Sequence, residues 1–400
     1  MERLDNLVRN YPWGSAGDIP EFLGIPASGE PVAELWMGAH PDLPSRVVRD
    51  GETRSLADVI AADPQAELGP EVVNRFGPRL PFLLKVLAAA RPLSLQVHPD
   101  KQYAERAYAA QQRTPGAPRD YTDDNHKPEL ICALRHGFAG LCGFRPLPGS
   151  RELLAELDVA GLTELAAGLS QGEADPAGTL RGMVTGVLTD ETDRAPLIAT
   201  VGRASRRVAA AGGPWGPACA AYAVIAADYP ADPGALVALL LNYVELAEGE
   251  AVFVGAGMPH CYLRGLGAEL MASSDNVLRA GLTSKRVNVP ELLRVLDFRP
   301  GEPAVLRPVP NGPGATYPTP VDDFRLSRLE LGDQPSVLPG GGPQIVLCIA
   351  GAARLRDRSG RELELRRGQS AFLSAADAGV SITGHGTVLL AAVGAVRSAP

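Results

Sequence analysis

The 400-residue chain has no surplus of positive charge: 38 Lys and Arg stand against 46 Asp and Glu, a formal net charge of −8. Without a basic surplus there is no electrostatic footprint for nucleic acid or an anionic membrane, so an anionic ligand must be held by a local cluster. Long hydrophobic runs are missing too. Three uncharged windows, 208–227, 336–353 and 378–396, approach the length of a membrane span, but each is broken by Gly, Pro or both. Cysteine is scarce: Cys132, Cys142, Cys219, Cys261 and Cys348 are odd in number and contain no C-x-x-C pair. That argues against a disulfide framework and a cysteine-type zinc site, and points to the cytoplasm. The first residues, Met1 to Asn6, carry charge where a signal peptide needs an apolar core. Aromatics make up only 5% of the chain, yet apolar residues reach 45%, enough for two to three packed domains.

Strand-like runs punctuated by Pro and Gly fill the first 147 residues, notably Val32 to Gly38, Leu93 to His98 and Phe138 to Phe144. Helical stretches are predicted after Ser55 and from Lys101 to Gln112. From Ser150 to about Asn242 the pattern becomes Ala- and Leu-rich with helical period. Strand character returns at Glu250 to Val254, a short helix is predicted over Pro290 to Leu296, and the segment beyond the Pro-rich stretch 300–320 reads as all-β. Gly249 to His260 aligns without gaps on Gly368 to Gly379, sharing the first Gly, the Phe, the apolar residue after it and an Ala. The first copy approximates the cupin turn pattern that ends in His. The expected fold class is mainly β with a helical insertion: two cupin-like jelly-roll barrels plus an α-helical domain. The expected divisions are a metal-binding cupin unit from 1–147 and 241–316, a helical domain at 148–240, and a C-terminal jelly roll at 317–400 without metal ligands.

Six histidines allow each to be weighed. Gln96 and His98 lie two apart in a strand-like run and share a face. Glu129 follows Pro128, which helps hold the preceding backbone extended, and His260 ends the Gly-rich turn. These four offer a mixed nitrogen and oxygen set suited to zinc or another divalent first-row metal. Lys85, Lys127, Arg279, Lys285 and Arg286 adjoin them, and such a group suits a phosphate or sugar phosphate. Trp13 and Trp36 are candidates for lining a sugar site or for packing. His40, His136 and His385 read as ordinary structural histidines, and Cys261 as a passive neighbour of His260.

Several linked stretches, Lys85 to Lys101, Asn125 to Glu129, Gly257 to Leu263 and Glu269 to Lys285, together with Asn10 to Ser15 and Glu34 to Gly38, resemble the type I mannose-6-phosphate isomerase family. The resemblance implies a zinc enzyme with one Zn2+ per chain that interconverts mannose 6-phosphate and fructose 6-phosphate through an enediol. Its metabolic setting would be GDP-mannose and glycan synthesis or the entry of mannose into glycolysis. The implied metal ligands are Gln96, His98, Glu129 and His260, the set reached above from side-chain chemistry. The resemblance carries active-site roles onto Ser94, His126, Lys127, Tyr262, Glu269, Asp275 and Arg279. Lys85, Trp13 and Lys285 join Ser94 and Tyr262 as expected substrate contacts. The proton-transfer base stays open among His126, Glu269 and Asp275. Cys261 and Asn288 depart from the usual Ala and Asp of the pattern without touching this chemistry. A small-molecule sugar phosphate is the expected partner, with no nucleic acid or membrane, for a monomer in the cytoplasm. A non-catalytic sugar-phosphate sensor and an iron cupin oxygenase are the competing classes.

Overall fold

All eight residues of the strand Phe82–Ala89 are buried, because both faces of this strand are covered. The computed structural model, which describes residues 1–113, 116 and 118–394, shows what covers them. On one face Leu84, Val86 and Ala88 join Leu35, Leu130 and Leu270 against Leu326, Ile345, Leu347, Phe372 and Leu389 of the C-terminal strands. On the other, Leu87 and Ala89 join Ile131, Phe138, Val252 and Tyr262 in an inner cluster.

The protein is mainly β, in two large antiparallel sheets. The first has eleven strands, whose main path runs Val305–Leu306, Ala251–Val254, Glu129–Ala133, His260–Ala272, Phe82–Ala89, Glu34–Met37, Leu7–Arg9. The thirteen-residue strand His260–Ala272 is its hinge. Residues 265–272 pair with Phe82–Ala89, while 260–264 turn to pair with Phe138–Phe144 and Leu95–Val97. The register slips between Tyr262 and Arg264, and Gly265 follows at φ 111°. A Cβ at Gly265 would lie 2.7 Å from the Phe138 Cα, so only glycine lets the strand turn this corner. His260 is thereby placed at one end of the bend and Glu269 beyond the other.

The second sheet has nine strands, with main path Glu2–Leu4, Ser370–Leu373, Gln344–Arg356, Ser381–Ala392, Arg325–Leu331, Gly314–Thr316, Val309–Asn311. Glu2–Leu4 and the segment 309–316, placed by sequence with the metal-binding unit, pair instead into this sheet. The strand partners of Glu2–Leu4 lie more than 360 residues away, beyond the reach of any local pattern. Residues 395–400 of the expected C-terminal unit, and with them the end of the window 378–396, lie outside the described residues.

The two aligned copies found in the sequence occupy corresponding places: Gly249 and Gly368, both at positive φ, precede the strands Ala251–Val254 and Ser370–Leu373. Between the sheets in sequence run the helices Leu147–Leu157, Thr163–Gln171, Pro176–Thr189, Ala195–Ala211, Gly216–Asp228 and Gly234–Val237. Their apolar faces pack on Leu95, Val97, Leu141, Leu278 and Ala280, covering the outside of the strands that carry the polar donors. The helical pattern read as far as Asn242 stops earlier, since Leu241–Leu246 is a strand paired with Phe138–Phe144. The helix at Lys101–Gln112 has the predicted bounds, its first turn capped by Asp100, whose carboxylate accepts the Tyr103 N–H at 2.6 Å. Among the described residues no helix is long and apolar enough to cross a membrane.

Candidate active site

Leu95 and Val97 point into the cluster beneath the helices, so Gln96, between them, projects the opposite way. Gln96 stands directly opposite His260 on one neighbouring strand and opposite Arg279 on the other, which brings these three side chains to one face. Glu129 opens its strand opposite Met271 and Val254. His98, Glu129 and His260 are all buried and meet. The Nε2 atoms of His98 and His260 lie 3.3 Å from Glu129 Oε1 and Oε2 respectively, and one ligand-type atom from each residue falls within 4.8 Å of the others.

The remaining ring nitrogens are committed to backbone carbonyls: His98 Nδ1 to Asn276 at 2.7 Å and His260 Nδ1 to Met258 at 3.2 Å. A neutral imidazole that donates at Nδ1 presents a lone pair at Nε2. Burial, followed by the charge of Lys127, brings the His98 pKa down to about 4, so this ring is neutral at neutral pH. Its Nε2 is buried with no hydrogen-bond partner among the described residues, facing an ionised carboxylate. Burial alone would raise the Glu129 pKa, but Lys127 and the two imidazoles hold it well below the ordinary range. Lone pairs converging in this way repel one another unless a cation lies among them. The residues therefore fit a divalent metal, with the backbone carbonyls of Asn276 and Met258 fixing the tautomers. Gln96 donates through Nε2 to Ser94 Oγ at 3.1 Å, leaving its amide oxygen as the available ligand atom.

Around this centre lies a buried charged network. Lys127 Nζ binds Glu129 Oε1, and the Tyr262 hydroxyl donates to Glu129 Oε2 at 3.3 Å. Lys85 Nζ lies 3.3 Å from Glu269 Oε2 and 3.9 Å from Glu34 Oε1, and sits 4.8 Å over the Trp36 ring. Trp36 in turn donates its indole N–H to Glu34 at 2.7 Å. Burial and the Glu129 charge raise the Glu269 pKa against the opposing pull of Lys85 and Lys127. Asp275 is more open: its side chain is 42% exposed, with Oδ2 3.0 Å from His40 Nε2. Burial would raise its pKa, but the hydrogen bond from His40 prevails and lowers it.

The expected basic cluster divides. Lys85 and Lys127 are buried and paired, as above. Arg286 is neutralised by Asp120 at 2.8 Å, and Lys285 is exposed. Arg279 is half-buried and, among the described residues, in no ion pair; burial lowers its pKa. His126, one of three candidate bases, turns away from the centre. Its Nε2 lies 2.9 and 3.0 Å from the two oxygens of the buried Asp323, in the C-terminal part of the chain. In this arrangement the Nε2 of His126 is engaged by a carboxylate outside the cluster of His98, Glu129 and His260. Trp13 stacks on Tyr11 at 5.6 Å and packs beside the inner apolar cluster, while Ser94 is half-buried next to Gln96. Cys261 donates to the Leu93 carbonyl at 2.9 Å, and burial pushes its thiol pKa up, keeping it protonated.

Glu34 and Asp323 are not among the site residues expected from the sequence, and His40 reads there as an ordinary structural histidine. Glu34 had a usable signal, a lone carboxylate in the otherwise apolar run Val32 to Gly38. His40 and Asp323 had none, since their partners depend on sheet register.

Behind the imidazole pair and carboxylate at the bend of the first sheet, the second strand-rich unit places the chain among cupin-containing proteins. Residues 314–393 match the family description "Mannose-6-phosphate isomerase, cupin domain", and residues 1–147 match "Phosphomannose isomerase type I, catalytic domain". Mannose-6-phosphate isomerase of Escherichia coli (strain K12) is 40% identical over 395 residues, covering 96% of this chain and 98% of that protein. The Bos taurus protein of the same name is 32% identical over 403 residues, covering 93% of each. The crystal structure of a point mutant of phosphomannose isomerase from Salmonella typhimurium superimposes with a TM-score of 0.89 at 39% identity, covering 99% of this chain and 100% of that one. The chain belongs to the type I mannose-6-phosphate isomerase family.

Proposed function

We propose that the protein interconverts D-mannose 6-phosphate and D-fructose 6-phosphate, with one Zn2+ per chain held by Gln96, His98, Glu129 and His260. The observation that carries the metal reading is the buried Nε2 of His98, which has no hydrogen-bond partner among the described residues and faces a carboxylate. When bound, a divalent ion polarises the sugar carbonyl and stabilises negative charge on its oxygen. The fold in this reading is two jelly-roll barrels and a helical domain, and the site opens from the first barrel.

The reaction opens the sugar ring, then moves a proton between carbons 2 and 1 by way of an enediol. Asp275, ionised and facing solvent, takes the anomeric hydroxyl proton as the ring opens and returns it to the ring oxygen; as the carbon-bound proton then moves between carbons 2 and 1, the hydroxyl proton passes between their oxygens. Glu269 takes and returns the proton at carbon, because a carboxyl whose pKa is raised is better matched to neutral-pH proton transfer than an ordinary one. Lys85 holds Glu269 in place through its 3.3 Å contact. Lys127 holds Glu129, and Arg279, half-buried and with no carboxylate partner among the described residues, supplies charge to the oxygens that become anionic. Ser94, Tyr262, Trp13 and the exposed Lys285 complete the substrate contacts. In the cell the reaction would serve GDP-mannose synthesis or mannose catabolism in the cytoplasm, by a monomer.

The test is a coupled assay for fructose 6-phosphate formed from mannose 6-phosphate, before chelation, after chelation, and after zinc is returned. Turnover that disappears and returns supports the reading. Tight binding of mannose 6-phosphate by zinc-loaded protein without turnover would favour the sensor.

A further inference from the structure

His40 lies just past the strand Glu34–Met37 and is buried, although its sequence context gave it no role. Its Nδ1 lies 3.3 Å from the backbone N–H of Asp42, a group that can only donate. The ring proton of the neutral imidazole is therefore on Nε2, which points at Asp275 Oδ2 from 3.0 Å. The ring edge rests on Trp36, with centroids 4.9 Å apart at 83°, and Trp36 is itself fixed by Glu34 and capped by Lys85. On its other side Asp275 is held through its own backbone N–H, which donates to Asp123 at 2.9 Å. No donor reaches Asp275 Oδ1 among the described residues.

We propose that His40 is a positioning residue: with its tautomer set by the Asp42 backbone, it holds Oδ2 of Asp275 and leaves Oδ1 free to work on the sugar. This rests on the reading above that Asp275 serves the isomerisation. The logic is that of an imidazole clamped between a backbone group and a carboxylate, here with the carboxylate as the working group. The charged and titratable groups facing the pair are Asp42, Asp123, Lys127, Lys85 and Tyr11, with Arg9 reaching Asp42 at 3.8 Å. Trp36 supplies the apolar wall.

Two near-isosteric substitutions separate positioning from packing. In His40→Gln the amide N–H2 falls near the place of Nε2 and still reaches Asp275. In His40→Asn it falls near Nδ1 and does not. In zinc-loaded protein we expect His40→Gln to keep most of the turnover. His40→Asn should lose about 10- to 100-fold in kcat with KM and zinc content unchanged, and its acidic pH limb should move upward as the Asp275 carboxylate loses a donor. Equal turnover in both variants, or a loss in both that tracks lower zinc content, would overturn the proposal. Should His40→Asn not fold, the imidazole 15N spectrum of the wild type decides: an Nε2–H tautomer at His40 that is perturbed by Asp275→Asn supports it, and an Nδ1–H tautomer refutes it. Absence of wild-type turnover would strike the isomerase reading alone, since the spectrum reports the contact without any substrate.

Discussion

Replacing Lys85 with Met keeps much of the side-chain volume and removes a buried charge that two buried carboxylates share. At 3.3 Å from Glu269, Coulomb's law with an effective dielectric of about 20 gives roughly 5 kcal/mol of attraction, and roughly 4 kcal/mol at the 3.9 Å of Glu34. Losing one member of a buried pair generally costs about 3 to 5 kcal/mol, because the other charge is left without compensation. The cost depends on pH in a definite direction. The Glu269 pKa is already raised by burial and by Glu129, and Lys85 is the strongest group holding it down, so Lys85→Met raises it further. A carboxyl whose folded pKa exceeds its unfolded value near 4.5 contributes stability that is present below that value and lost as pH climbs through the folded pKa. The variant should therefore be least impaired near pH 5. Its deficit should grow with pH, by up to about 1.4 kcal/mol per unit, until the new folded pKa is passed. Urea unfolding of zinc-loaded wild type and variant at pH 5 and pH 8 measures both quantities. Lys85→Met combined with Glu269→Gln should recover much of the loss. A deficit under about 1 kcal/mol at pH 8, against the range expected for a broken buried pair, or one equal at both pH values, would refute the reasoning.

The remaining expectations concern distinct parts of the site. Arg279→Ala should lower kcat by about 10²-fold or more with zinc still bound, whereas His260→Ala should lose the metal; equal zinc retention in the two variants would contradict these roles. Tyr262→Phe removes the 3.3 Å hydrogen bond to Glu129 and should weaken zinc binding by about 10-fold, read by competition with a chelator of known affinity. Asp323→Ala should lower the unfolding midpoint, because it strips the partner from His126 across the two sheets; an unchanged midpoint would show that this contact holds nothing together.

What could be read from the sequence was whatever depended on near neighbours. The helix Lys101–Gln112 carries its own cap in Asp100, and Phe138–Phe144 carries its strand bounds. Gln96 and His98 advertise a shared face through a spacing of two. The convergence of His98, Glu129 and His260 could be suspected from donor chemistry, but the closing distances come from the corner at Gly265. Contacts that cross the fold had no local signal. The strand Glu2–Leu4 finds its partner at Ser370–Leu373, His126 finds Asp323, and His40 finds Asp275. Each depends on which strands lie side by side, and a loop histidine looks the same whether it meets solvent or a carboxylate. The segment 309–316 is of the same kind: it follows the first unit in sequence yet pairs with the second sheet.

The central claim is that one metal ion, held at His98, Glu129, His260 and Gln96, makes this chain an isomerase. The measurement that tests it most directly is a zinc titration of metal-stripped protein, with bound metal and fructose 6-phosphate formation read on the same samples. Turnover should rise in proportion to bound zinc and saturate at one ion per chain, and His260→Ala should stay flat in both readings. Full turnover in the metal-free protein, or saturation with zinc while turnover stays at zero, would contradict it.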